Sequence, residues 1–228
     1  MSARRDALQA LIDEPPSSAN WRRLLGILLH WPAEPARDRY VAEADHALRD
    51  WPDERRTLSP ALKRRLREPP YPSWLSLVRV FDMTRRANRT REYDSLVRLL
   101  DEGRIERLHT LRLRYCTFGD AGLALIAKRV RGIAELGLGN CCIGSAGVVA
   151  LVESPHAAGL EDLNLHSNLV NDVGADAIVG AKALASLRRV NLYNNQISAA
   201  GLERAREGFE ARGIRFISHR GGGWAFGR

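Results

Sequence analysis

From residue 108 onward the chain repeats one phrase four times in phase, and this limits its fold more than any other feature. Leu108-x-x-Leu111-x-Leu113-x-x-Cys116-x-Phe118 opens the first unit, and Ile133-x-x-Leu136-x-Leu138-x-x-Cys141-x-Ile143 the second. Leu160-x-x-Leu163-x-Leu165-x-x-Asn168-x-Val170 and Leu187-x-x-Val190-x-Leu192-x-x-Asn195-x-Ile197 open the third and fourth. The starts are 25, 27 and 27 residues apart, and a glycine follows each phrase: Gly122, Gly147, Gly174 and Gly201. Strand side chains alternate, so both leucines of Leu-x-Leu point to one side, the core. The Asn or Cys three residues on sits where the chain leaves the strand, and a short polar side chain can bond the backbone groups stranded there. A unit of this kind cannot bury its apolar face alone, so units must stack. The expected fold is an α/β solenoid over residues 108–219, with parallel strands on the concave side and helices on the convex side. Those helices are expected over residues 121–130, 147–153, 174–183 and 199–212.

The rest of the chain reads as covers for this array. The last helix keeps Leu202, Ala205 and Phe209 on one stripe among charged residues, as a terminal capping unit needs. Ile214-Arg-Phe216-Ile217 is expected to be a closing edge strand that adds Phe216 and Ser218 to the concave face. Residues 220–228 form a glycine-rich tail expected to be flexible. Residues 1–72 read as helices divided by prolines, with Ser17 or Ser18 capping one of them and Ser59-Pro60 starting another. Residues 73–107 read as a degenerate first repeat that covers the open edge of the solenoid. There Leu75-x-x-Val78-x-Val80 imitates the repeat phrase and would place Arg79 and Phe81 on the concave face.

The repeat phrases resemble the ribonuclease-inhibitor-like class of leucine-rich repeats. The wording from Ala150 to Asn168 is similar to that of bacterial repeat proteins from myxobacteria and planctomycetes. Asp6-Ala-Leu-Gln-Ala-Leu-Ile-Asp-Glu-Pro15 followed by Trp21-Arg-Arg-Leu-Leu resembles the helical repeat-companion segment that some of them carry, without its acidic-tryptophan ending. The resemblance implies a binding scaffold and names no substrate, because function lies in surface residues.

The search for chemistry supports a non-enzymatic reading. The sequence holds no phosphate-binding loop, no nucleophile elbow and no paired-histidine zinc motif. No catalytic residue, metal ligand set or cofactor is expected. Three cysteines, Cys116, Cys141 and Cys142, make a poor disulfide framework and are read as buried or half-buried free thiols. No apolar run is long enough to span a bilayer. The charged N-terminal stretch lacks the apolar core of a signal peptide, which points to a cytoplasmic protein.

Binding chemistry is concentrated in the strand positions that flank the inward leucines. Arg112, Arg114 and Tyr115 come from the first unit, Glu135 from the second, Asp162, Asn164 and His166 from the third, and Arg189, Asn191 and Tyr193 from the fourth. Gly137 and Gly139 would leave a shallow place for a partner side chain. Arg and Tyr suit protein interfaces, since they join contact area to directed hydrogen bonds. A protein partner on this face is the leading expectation. The formal charge of +8 gives an alternative, because residues 1–54 sum to −3, 55–104 to +7 and 105–228 to +4. Arg55, Arg56, Lys63, Arg64, Arg65, Arg67, Arg85 and Arg86 could contact nucleic acid or another polyanion. Regulation of a partner enzyme, as inhibitor or activator, is a third reading.

Overall fold

The computed structural model describes residues 2–32, 35–58, 72–82 and 96–219. Six strands form one parallel sheet in chain order: β1 (Val80–Asp82), β2 (Thr110–Arg114), β3 (Glu135–Gly139), β4 (Asp162–Asn164), β5 (Arg189–Asn191) and β6 (Arg215–Ile217). Leu111, Leu136, Leu163 and Val190 stand side by side in register, so the leucine phrase forms one continuous spine. All four are fully buried. The chain folds as an α/β solenoid.

Three helices, α1 (Ser2–Asp13), α2 (Ser18–Leu29) and α3 (Pro35–Ala47), precede the sheet. Ser17 caps α2, its hydroxyl accepting the Asn20 N–H at 3.0 Å. Four convex helices follow strands β2 to β5: α4 (Gly119–Arg129), α5 (Ser145–Val152), α6 (Asp172–Gly180) and α7 (Ala199–Ala211). Each starts near the position the sequence predicts. A polar spine links their first turns. Asp120 Oδ1 accepts from Gly144 N at 2.6 Å, Ser145 Oγ accepts from Gly174 N at 3.1 Å, and Asp172 Oδ1 accepts from Ser198 N at 2.7 Å. This spine explains the recurring glycine in the last three units, whereas Gly122 makes room for the Phe118 ring. A Cβ at Gly174 would stand 2.7 Å from Ser145 Oγ, and one at Gly201 would stand 2.4 Å from Asp172 Oδ1.

Both ends depart from expectation. Residues Ser73–Leu77 form a 3₁₀ turn, so the strand begins later and Phe81, not Val78, aligns with Leu111. Phe81 therefore faces the core, and Asp82 stands beside Arg112. Residues 56–58 cover the first edge, where Val80 N donates to Arg56 O and Leu58 N to Val80 O, each at 3.2 Å. At the far end Val190 aligns with Phe216, not Ile217. That unit is one residue shorter than its predecessor, and a one-residue slip exchanges the two faces of a strand. Phe216 turns inward to Phe209, ring centroids 5.0 Å apart, while Arg215 and Ile217 take the concave positions.

One apolar cluster runs through the helical region and the solenoid, from Leu8, Trp21 and Leu48 to Trp74, Leu111 and Phe209. Ser59-Pro60, Pro69-Pro70-Tyr71 and residues 220–228 lie outside the described residues.

Candidate partner-binding surface

Parallel register sorts the concave side chains into rows. Thr110, Glu135, Asp162, Arg189 and Arg215 form the first row, and Asp82, Arg112, Gly137, Asn164, Asn191 and Ile217 the second. Arg114 aligns with Gly139, and His166 and Tyr193 occupy the same phase in the next two units.

Within these rows most charges are already matched. Arg112 bonds Glu135 on one neighbouring strand and lies 3.5 Å from Asp82 on the other. Arg189 makes a two-pronged contact with Asp162, which holds its guanidinium above the usual range; the hydrogen bonds are the main cause. Asp162, Asn164 and Asn191 are buried between their neighbours. The two amides serve the backbone: Asn164 Oδ1 accepts from His166 N at 3.1 Å, and Asn191 Oδ1 from Tyr193 N at 2.9 Å.

Arg114 is different. It is exposed, its guanidinium carbon lies 5.5 Å from the centroid of the Tyr115 ring, and it meets His166 Nε2 at 3.1 Å. Arg has only donors, so Nε2 accepts and Nδ1 carries the hydrogen. That hydrogen is donated to Asn164 Oδ1 at 2.8 Å. Burial and the charge of Arg114 both lower the His166 pKa from 6.5, burial the more strongly. The imidazole thus rests neutral across Gly139. The shallow space expected at Gly139 is filled by this ring. Among the described residues no carboxylate lies within ion-pair distance of Arg114.

Beyond this row the chain turns out of each strand through a left-handed residue: Tyr115, Asn140, Ser167 and Asn194 have φ of 58°, 60°, 55° and 56°. Asn tolerates that conformation, whereas a bulky side chain is rare there. Tyr115 is half-exposed at this bend, beside Arg114.

Behind the turns runs the expected ladder. Asn168 Nδ2 donates to Leu138 O at 2.7 Å and Leu165 O at 2.9 Å, and its Oδ1 accepts from Cys141 N at 2.9 Å and Ile143 N at 3.1 Å. Asn195 repeats the pattern toward Leu165 O and Val170 N. In the first two units thiols replace the amides, and Cys116 Sγ and Cys141 Sγ lie 3.2 Å apart. Cys141 is buried and Cys116 half-buried, as read from the sequence, whereas Cys142 is exposed.

Two arginines leave the sets to which the sequence assigned them. Arg79 is 5 % exposed and lies off the concave face, because the 3₁₀ turn moves it ahead of β1. Arg56, expected to meet a polyanion, is 2 % exposed. Both bind Asp45, at 2.7 and 2.8 Å, and Arg107 adds a third contact to it at 2.9 Å. Arg55 is exposed, and Lys63, Arg64, Arg65, Arg67, Arg85 and Arg86 lie outside the described residues. Sequence reading missed Asp45 and Asp82, since lone carboxylates outside the repeat phrase carry no periodic signal.

The strands, helices and bonded turns together make an α/β solenoid with one repeated unit. In agreement, the family model described as leucine-rich repeat matches residues 108–127, the first unit. No curated protein matches the chain. Among the described residues no helix is long and apolar enough to cross a membrane, and no group of three His, Cys, Asp or Glu residues could hold a metal ion.

Proposed function

We propose that this chain is a non-enzymatic protein-interaction module whose concave face docks a protein partner that presents a carboxylate to Arg114. Leucine-rich repeats generally mediate protein–protein interaction, which supports the class. The observation that carries the finer reading is the unequal use of the arginines. Arg112 and Arg189 are matched by carboxylates of this chain, while Arg114 is held by a neutral imidazole and a tyrosine ring. An exposed guanidinium with a rigid aromatic neighbour is the residue pairing that dominates protein interfaces. Tyr193, one unit further in the same row, extends the contact. Arg112, Glu135 and Arg189 form the charged rim that sets orientation and rejects mismatched partners.

Site-specific photo-crosslinking in cells of the source organism tests this. A photo-reactive residue at Tyr193 should capture a discrete protein, the same residue at Glu203 on the convex side should not, and Arg114→Glu should abolish capture at Tyr193. Equal capture at both positions, or capture at Tyr193 that is indifferent to Arg114→Glu, would reject the concave face as the docking surface.

A further inference from the structure

We propose that Cys116 and Cys141 form a peroxide-responsive modification site, in which a hydroperoxide converts the two thiols to an intramolecular disulfide between the first and second repeats. The geometry is the first argument. The two sulfurs are 3.2 Å apart in the reduced chain, in equivalent positions of adjacent parallel units. Neighbouring strands lie about 4.8 Å apart, within the range of Cα separations a disulfide spans. With the sulfurs already in contact, closing the bond asks them to approach by about 1 Å.

The ladder gives the second argument. In the third and fourth units this position holds an amide that ties three backbone segments together. Cys141 has a single S–H, which reaches either one carbonyl, Gly139 O at 3.4 Å, or Cys116 Sγ at 3.2 Å. The junction of the first two units is thus the weakly bonded stretch of the ladder, and a covalent link there supplies what the missing amides do not.

The two thiols also differ in the way such a reaction needs. Cys116 is half-buried and Cys141 fully buried, so peroxide meets Cys116 first. The hydrogen bond from the Cys141 thiol lowers the Cys116 pKa from 9.0, and the same bond, with burial, pushes Cys141 far up. The pair is a nucleophile with its resolving partner already in contact. The Cys116 thiolate attacks one peroxide oxygen, the O–O bond breaks, and hydroxide or alkoxide leaves with the proton that Cys116 released. Cys116 is then a sulfenic acid. The Cys141 sulfur attacks that sulfur, the S–O bond breaks, and the departing hydroxide takes the Cys141 proton as water. Two thiols lose two electrons in all, and hydrogen peroxide becomes two waters.

The test uses the full chain, reduced and then exposed to hydrogen peroxide. Thiols counted after denaturation should fall from three to one, and peptide mapping should join the Cys116 and Cys141 peptides with the loss of two hydrogens. Dithiothreitol should restore all three thiols. The oxidised chain should melt about 5–10 °C higher, since a link closing a loop of this length restrains the unfolded chain. Cys142→Ser, an exposed change, should give the same link with no thiol remaining. Oxidation confined to Cys142, a link that includes Cys142 or a second chain, or conversion of Cys116 to sulfinic acid without a link would each overturn the proposal.

Discussion

His166 lies over the place where Gly139 has no side chain, and a Cβ at Gly139 would fall 2.0 Å from its Cε1 atom. The two residues come from adjacent units, and the imidazole keeps its bonds to Asn164 and Arg114 only because Gly139 leaves room. The clash is with the end of a side chain, so Gly139→Ala should fold with the ring displaced. The expected loss is about 1 kcal/mol, the usual net worth of a broken hydrogen bond. Urea unfolding measures it. In the crosslinking assay the same variant should weaken capture, because Arg114 loses its anchor. An unchanged stability and a ring still bonded to Asn164 would contradict this account.

His166 also makes a pH prediction. Burial and Arg114 depress its folded pKa below the 6.5 it has when unfolded. Between those two values the unfolded chain binds more protons, so stability rises with pH there. The contribution is complete above 6.5 and is lost as pH falls below it through the folded pKa. Nitrogen-detected NMR of the ring should show the Nδ1–H form at neutral pH and a midpoint below 6.5. His166→Gln should melt with a shallower dependence on pH across that window than the unsubstituted chain. A midpoint at or above 6.5 would mean that the ring is not held against Arg114.

Much of this was legible in the sequence, and the limits are physical. The leucine spine announces itself because each unit must repeat the same inward positions to stack, and the observed register joins Leu111, Leu136, Leu163 and Val190 as the phrases do. The ends were misread because no stacking neighbour enforces phase there. Val78 and Ile217 sit at leucine-like spacing, yet a 3₁₀ turn at one end and the Phe209 ring at the other set the register. Arg114, His166 and Tyr193 could be placed in one row by counting. Their bonding could not, since which arginine finds a carboxylate depends on side-chain reach across strands.

The ladder amides should differ in value. Asn168 is buried and satisfies backbone groups on both sides, whereas Asn195 is half-buried near the last strand. Asn168→Ala strands the Cys141 and Ile143 N–H groups and the Leu138 carbonyl, while Leu165 O keeps its bond from Asn195. It should cost about 3 kcal/mol, at the upper end for unsatisfied buried groups. Asn195→Ala should cost roughly half that, because water reaches part of its site. Denaturant unfolding of the two variants checks the order, and equal losses would show that the ladder is uniform along the solenoid.

A loss of similar size is expected at Asp45, which joins the helical region to the sheet. Its carboxylate binds Arg56, Arg79 and Arg107, and the first two guanidiniums are almost wholly buried. Asp45→Asn keeps the shape but leaves the two buried cations with only their longer carboxylate contacts to Asp53, at 3.6 Å from Arg79 and 4.0 Å from Arg56. The cost should therefore be about 3 kcal/mol, the lower end for a broken buried pair. Burial raises the Asp45 pKa, but the Arg56 hydrogen bond and the charges of Arg79, Arg56 and Arg107 outweigh it and hold it below 3.8. A depressed carboxyl stabilises the fold above its unfolded pKa and stops doing so as pH falls through its folded one. The gap between the original chain and Asp45→Asn should therefore be widest near neutrality and should close only below pH 3.8. Urea titrations of both proteins over that range measure the gap. A gap that stays constant into acid would show that the carboxylate's charge is not what fastens residues 45, 56, 79 and 107 together.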